Sequence, residues 1–283
     1  MKDSQELFKN YNIKFKGKVR DIYDVDSKHY LIVATDRISA FDYVFKEVIL
    51  GKGKLLNSMT RFWFNKTKHI IQNHLRDKII DIPKEEVDRC MVVEKINVLP
   101  IEAIVRGHLA GSSWENYKKN NIIEGMSVKN TFTKYQQFDE PIFTPSTKAE
   151  IGGKDENISF NNMKEIIGKD LSEKVRDISI KLYNFAYNYA KNQGVIIADT
   201  KFEFGLDSDG NLVLVDEIFT PDCSRFWLIN KENNKINYES FDKQFFRDYL
   251  VSINWADEDI SIPDEIKNKL IKRYQLAFDL LVK

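Results

Sequence analysis

Cysteine is scarce in this chain of 283 residues, with only Cys90 and Cys223. Two such distant residues make neither a disulfide framework nor a four-ligand zinc site, so reduced thiols are expected. Histidine is sparse too, and His69 and His74 are spaced wrongly to share one helix face. Both are expected at the surface. Net charge is absent, since Lys+Arg and Asp+Glu each number 43. That balance provides no overall field for nucleic acid or an acidic membrane, so anion binding must come from local clusters. No apolar run approaches the ~18 residues of a membrane span, and the N-terminus lacks a signal-like segment. A cytoplasmic protein is expected. Repeats and low-complexity segments are missing as well. What remains is a globular composition, 42% hydrophobic and 12% aromatic, long enough for one large domain or two lobes.

The most informative stretch is Val195 to Trp227. Asp209-Gly210 is the dipeptide favoured by a two-residue type I′ turn, which predicts a hairpin with Ser208 opposite Asn211. Counting outward places Phe204 opposite Val215, Leu206 opposite Val213 and Glu203 opposite Asp216. Alternation then puts Phe202, Phe204, Leu206, Val213 and Val215 on an apolar face and Asp199, Lys201, Glu203 and Asp216 on the other. Like charges directly opposite destabilise a sheet; a hard cation between the two carboxylates resolves the conflict. An exposed face with solvated charges fits the same pattern. The continuation DEIFTPDCSRFW, Asp216 to Trp227, adds Glu217, Asp222 and Arg225 beside a proline turn, an unusual use of a plain surface loop.

Elsewhere the chain offers weaker signals. Gly17 to Tyr23 and His29 to Thr35 read as paired strands, with Lys18 and Arg20 on one face, either a cationic lid over phosphates or an ordinary edge hairpin. Asp36 to Asp42 (DRISAFD) follows a strand end, where sites are often carried, although Asp and Ser also make local turns. Leu55 to Leu75 has helical spacing. Met91 to Pro100 reads as a strand entering a connector. Glu102 to Arg106 is another strand, and Gly107 to Ser113 turns into a helix through Trp114 and Tyr117. An arginine and serine there suit a phosphate at a helix N-terminus; an N-cap serine is the plainer alternative. Thr131 to Asn157, broken by Pro141, Pro145, Gly152 and Gly153, is expected to be a long loop. Leu171 to Asn192 is a helix with the core stripe Val175, Ile178, Leu182, Phe185 and Tyr189, capped by Gly194. Phe241–Val251 and Pro263–Val282 read as amphipathic helices. The pattern is α+β: an N-terminal antiparallel sheet lobe with a helix, then a larger lobe on the central hairpin.

IADTKFEFG followed by DEIFTPDCSRFW, together with GKVRD, DRISAFD, the Arg106–Ser112 turn and FTPSTKAE/DENIS, resembles the SAICAR synthetase family over roughly residues 14 to 255. The resemblance implies a two-lobed, ATP-grasp-like and kinase-like fold with ATP in the interlobe cleft, residues 1–97 covering ATP and 98–283 holding the rest. It implies an ATP-dependent ligase of purine biosynthesis joining L-aspartate to carboxyaminoimidazole ribonucleotide (CAIR). Glu203 and Asp216 would hold Mg²⁺ on ATP, with Lys18 and Arg20 at the phosphates and the connector at Lys95 and Val98 against adenine. Ser39 and Asp42 would line the substrate pocket, and Arg106, Ser112 and Arg225 would bind the ribonucleotide phosphate. Lys201 would stabilise the moving phosphoryl group, and Asp199 and Asp222 would orient or deprotonate the amine. The 143–159 region matches longer family members, where it edges the site. Cys223 and His108 depart from the commoner residues, and the carboxylase fused to animal members is not expected. The resemblance leaves monomer or homodimer open. A small-molecule kinase on the same scaffold, or a non-catalytic nucleotide-binding protein, are the rival readings.

Overall fold

The computed structural model describes residues 7–123, 126–127, 131–148, 156–230, 232–233 and 235–283. Strands β1 (Asn12–Lys16), β2 (Arg20–Asp24) and β3 (His29–Ala34) run antiparallel, and β4 (Arg37–Ala40) with β5 (Tyr43–Val48) forms a separate hairpin. Helix α1 (Lys52–Thr67) and a 3-10 turn at Lys84–Arg89 lead to β6 (Cys90–Glu94), completing the sheet β1-β2-β3-β6. Strands β3 and β6 of this sheet are buried on both faces. Leu31, Val33, Cys90 and Val92 close over Phe8 and Tyr23, whereas Ile32, Met91 and Val93 join the larger core.

The second sheet begins with β7 (Asn97–His108), followed by α2 (Gly111–Asn120) and the short pair β8 (Ile122–Ile123) and β9 (Met126–Ser127). Strand β10 (Gln137–Thr147) and helices α3 (Phe160–Ile167) and α4 (Lys169–Asn192) precede the central strand β11 (Val195–Leu206). Then come β12 (Leu212–Val215), β13 (Ser224–Ile229), β14 (Ile236–Asn237), α5 (Gln244–Ser252) and α6 (Asp264–Leu281). The sheet order is β10-β7-β11-β13-β14, with β12 also paired to β11. Helix α4 buries Val175, Leu182 and Ala186 in the core around β11, and Gly194 follows it at φ +80° as expected of a helix-ending glycine. The architecture is α+β, antiparallel sheets with flanking helices.

The central hairpin exists, but its register is one residue away from the expected one. Glu203 faces Val215, Phe204 faces Leu214 and Leu206 faces Leu212. The Asp207 carboxylate explains the shift: it accepts the amides of Asp209 and Asn211 at 3.0 and 2.8 Å, closing a longer loop in which Gly210 takes φ +80° and Asp209 does not go left-handed. The apolar face therefore carries Leu212 and Leu214 in place of Val213 and Val215. The two-residue turn with both φ positive occurs at Phe41 (+51°) and Asp42 (+65°), between the paired residues Ala40 and Tyr43.

Three further expectations are corrected. Residues 137–147, expected as loop, form β10; its prolines are tolerated because β10 is the edge strand, where a missing N–H interrupts no ladder on its outer side. Ala149 to Asp155, part of the region expected to edge the site, lie outside the described residues. Helix α1 stops at Thr67 rather than Leu75, and His74 is buried, not at the surface. Its backbone is a rung between sheets, His74 N donating to Leu214 O at 3.1 Å while His74 O accepts from Glu94 N at 2.8 Å. Burial there pulls the ring's pKa down to about 3. His69 is exposed as expected.

The first hundred residues do not all pack with their own sheet. Ile38, Phe45 and Leu56 share a core with Phe246, Leu250, Leu270 and Tyr274, and Met59, Trp63 and Phe64 belong to the core around β11. Among the described residues no helix is long and apolar enough to cross a membrane.

His108, at the end of β7, is 1% exposed and stands edge-on to Trp227 at 5.2 Å. Burial, countered by Asp199 and aided by Lys191, lowers its pKa to about 4. An unfolded histidine titrates near ~6.5, so its contribution to stability is complete above that pH and is lost as pH falls toward 4. His108→Phe should remove this dependence. In urea unfolding, the variant should gain on the parent by up to about 1.4 kcal/mol per pH unit between pH 6.5 and 4.5; a gap independent of pH would refute the assignment.

Candidate active site

Alternation along β11 sends Asp199, Lys201 and Glu203 to one face, and the neighbouring strands supply partners. Strand β7 sets Arg106 opposite Asp199 and Glu102 opposite Glu203, and β13 sets Arg225 opposite Asp199. The like-charge conflict is therefore between Glu102 and Glu203, and not between Glu203 and Asp216. Lys201 resolves it, its Nζ lying 2.5 Å from Glu102 and 3.0 Å from Glu203. Lys148, just past β10, pairs with the other Glu203 oxygen. Burial pushes the Glu203 carboxyl up, but Lys201 and Lys148 outweigh it and hold it at about 2. Burial likewise opposes the Lys201 ammonium, yet Glu203, Glu102 and Asp216 keep its pKa well above the lysine norm.

A cavity of about 430 Å³ opens in front of this face. It collects Lys201, Asp199 and Asp222; Lys18; and Ser39, Asp42, Arg106, Ser112 and Arg225 from the expected set. At one end, Arg225 donates to Asp199 at 2.8 Å, with Arg106 at 3.7 Å from the same carboxylate oxygen. The Arg225 guanidinium lies so close to Gly111 that a Cβ there would sit 2.5 Å from it, and Gly111 also takes φ +57°. Glycine at the start of α2 thus lets a buried guanidinium and the helix N-terminus carrying Ser112 meet at one point.

At the other end, Asp222 is held by the fully buried Lys52 at 2.7 Å and by the Tyr274 hydroxyl at 2.5 Å, with Lys243 at 3.9 Å. Burial raises the Asp222 carboxyl, but Lys243, Lys52 and Tyr274 carry it below the usual carboxylate range. Lys243 donates to Ser39 Oγ at 3.3 Å, and Lys18 pairs with Asp42 at the mouth. The Lys18 bend is fixed from below: Arg37 donates to the Gly17 and Lys18 carbonyls at 2.9 and 3.1 Å and grips the Asp21 carboxylate with two bonds.

Five expected residues do not line the cavity. Glu203 stands behind Lys201, and Asp216, in left-handed conformation (φ +64°) just past β12, turns to Arg20 at 2.5 Å. Arg20 also pairs with Glu217, so it sits against carboxylates and does not share a face with Lys18. Burial lifts the Asp216 carboxyl; Arg20 pulls it down, and the nearby Glu203 and Glu217 add to the rise. Lys95 pairs with Asp24 and lies 4.4 Å over the Tyr30 ring, while Val98 is exposed opposite Gly205. Among the described residues no three His, Cys, Asp or Glu side chains converge on a metal cage. Cys223 lines the cavity as a half-buried thiol pushed up to about 12 by burial and by Glu217, so it is no nucleophile at neutral pH.

Sequence reasoning missed Lys52, Glu102, Lys148, Lys243 and Tyr274. Lys148 lies within the FTPSTKAE block without a role assigned to it, the others belong to no local motif, and only the tertiary partner reveals the part of each in the site.

The SAICAR synthetase family model matches residues 14–261. A phosphoribosylaminoimidazole-succinocarboxamide synthase of Methylobacillus flagellatus is 45% identical over 275 residues, covering 94% of this chain and 93% of that protein. The enzyme of the same name from Pasteurella multocida is 44% identical, covering 95% and 97%. Among solved structures, the Saccharomyces cerevisiae SAICAR synthase in complex with SAICAR superposes with a TM-score of 0.85 at 38% identity, covering 97% and 96%. A type-2 SAICAR synthetase in complex with ADP gives 0.71 at 25% identity, covering 95% and 97%. Nearly the whole chain is matched in each case, and the chain belongs to the SAICAR synthetase family.

Proposed function

We propose that this protein is an ATP-dependent ligase of purine biosynthesis that joins L-aspartate to the carboxylate of CAIR, giving SAICAR, ADP and phosphate. The observation that carries the reading is a single cavity with two unlike ends. One end gathers Arg106, Arg225 and Ser112 at a helix N-terminus, an anchor for a ribonucleotide phosphate. The other holds Asp222 against Lys52, and on the β11 wall of the same cavity Lys201 stands between two glutamates, a fixed cation for a group whose negative charge moves.

A carboxylate is a poor electrophile, because attack must expel oxide. Transfer of the ATP γ-phosphoryl group gives an acyl phosphate, which the aspartate amine then opens. Such chemistry is mostly positioning and charge neutralisation. Arg106, Ser112 and Arg225 hold CAIR remotely from the bond being made, and Ser39 and Asp42 border its ring. Lys201 and Lys18 meet the phosphoryl group, while Arg20 anchors the Asp216–Glu217 turn beside it. The connector at Lys95 and Val98 borders adenine. Mg²⁺ would enter with ATP and neutralise phosphate charge; Glu203 and Asp216, near enough that each charge is felt by the other, would hold it in exchange for their present partners Lys148 and Arg20, with phosphate and water completing its ligands. Asp199 and Asp222 orient the reacting groups. In this reading residues 1–97 contain the ATP-covering lobe and residues 98–283 the substrate lobe, in a cytoplasmic monomer or homodimer.

Phosphate release from Mg-ATP and CAIR tests the reading. It should require L-aspartate and be matched by product absorbance. Release indifferent to aspartate would replace the ligase with a kinase or ATPase. Asp216→Asn should lower turnover at least ~100-fold, the scale of losing one preorganised electrostatic group, with an unchanged circular dichroism spectrum. Near-parental activity would remove Asp216 from the site. Arg225→Lys keeps a charge but loses the fork that spans Asp199 and a phosphate. The KM for CAIR should rise ~10-fold or more while that for ATP holds, in line with ~1.5–3 kcal/mol for a charge-assisted hydrogen bond. An equal rise for both substrates would argue against a phosphate anchor.

A further inference from the structure

Aspartate arrives with its amine protonated, and a proton must leave before nitrogen can attack. The two carboxylates first considered for that task are already committed, Asp199 to Arg225 at 2.8 Å and Asp222 to Lys52 at 2.7 Å and Tyr274 at 2.5 Å. Three lysines line the cavity: Lys18, Lys201 and Lys243. Lys201 is wedged between two glutamates and Lys18 is paired with Asp42. Lys243 differs from both. Its nearest carboxylate oxygen, on Asp222, is 3.9 Å away and already shared, and its hydrogen-bond partner is the neutral Ser39 hydroxyl at 3.3 Å. It also occupies the N-cap of α5, where the helix dipole disfavours a cation.

We propose, on the ligase reading, that Lys243 is the general base that takes the proton from the aspartate amine. Its surroundings suit the role. Burial lowers the pKa of Lys243 most, Asp222 raises it, Lys52 of α1 and Arg247 of α5 lower it again, and Glu217 raises it, leaving about 8. A neutral fraction is therefore present near neutral pH, as a base requires. The ammonium passes one proton to the Lys243 amine, and the freed nitrogen attacks the acyl carbon. The carbon–oxygen bond to phosphate breaks, its electron pair leaving on phosphate. The second nitrogen proton goes to the departing phosphate oxygen, and Lys243 returns its proton to solvent.

Lys243→Arg tests this, because a guanidinium keeps the charge and cannot act as a base. Turnover should fall by ~10²- to 10⁴-fold, with the KM for CAIR within a few-fold and the rise in kcat toward pH 8 abolished. Positional isotope exchange in ATP with CAIR alone reports acyl phosphate formation and should persist. Hydroxylamine, largely unprotonated at neutral pH, should replace aspartate about equally well in variant and parent. Lys243→Met, with ATP binding as the fold control, should behave alike. Turnover within threefold of the parent in Lys243→Arg would overturn the proposal. So would loss of isotope exchange in both variants, which would place Lys243 in the phosphoryl step. Aspartate-independent phosphate release by the parent would instead remove the ligase reading itself.

Discussion

Burying charge only in company is the constraint on which this site depends. An isolated ion in a protein interior is costly, and a pair is tolerated when geometry and further hydrogen bonds complete it. Strand β11 meets the constraint by alternating acid, base and acid at Asp199, Lys201 and Glu203, so that Lys201 and Glu203 neutralise each other on the same face. The remaining partners come from other elements: Glu102 and Arg106 from β7, Arg225 from β13, and Lys148 after β10. Satisfying the charges thus fixes the order in which the strands lie.

The same constraint ties distant parts of the chain together. Lys52 at the start of α1 reaches Asp222, which also takes the Tyr274 hydroxyl from α6. Arg20 of β2 reaches Asp216 and Glu217 beyond β12. Removing one partner from such a pair leaves an uncompensated buried charge, a large penalty compared with the small net value of the pair itself. Interdependence of this kind holds the site together in a single arrangement, although Arg20 and Asp216 are 196 residues apart in sequence.

What the sequence revealed follows from which interactions are local. The acidic and basic face of β11 was legible because a period of two is internal to one strand and survives any error in the partner's register. The register was not legible, because the Asp207 side chain closes the turn and a dipeptide preference says nothing of that competing hydrogen bond. Prolines 141 and 145 suggested a loop, since only the final sheet order shows β10 to be an edge. His74 looked like a surface residue because its burial comes from backbone rungs to β12 and β6, set by tertiary packing alone. The motifs located most of the cavity wall, while the buried lysines around it carried no sign of their role.

Those lysines also show why residue type is a poor guide to chemistry. Lys201 lies between Glu102 and Glu203, so its charge is locked on whatever the cost of burial. Lys52 is fully buried, and its carboxylate partner Asp222, which it shares with the Tyr274 hydroxyl, is in direct contact at 2.7 Å. Lys243 has burial without a close carboxylate, two cations for neighbours and a helix N-terminus beneath it. One side chain can thus be a permanent cation, a structural tie or a reversible proton acceptor according to what surrounds it. A ligase needs the first and the last within one cavity, because stabilising a moving phosphoryl group and deprotonating an amine make opposite demands on a lysine. Separating them on different elements, β11 for one and α5 for the other, lets each environment be set without disturbing its counterpart.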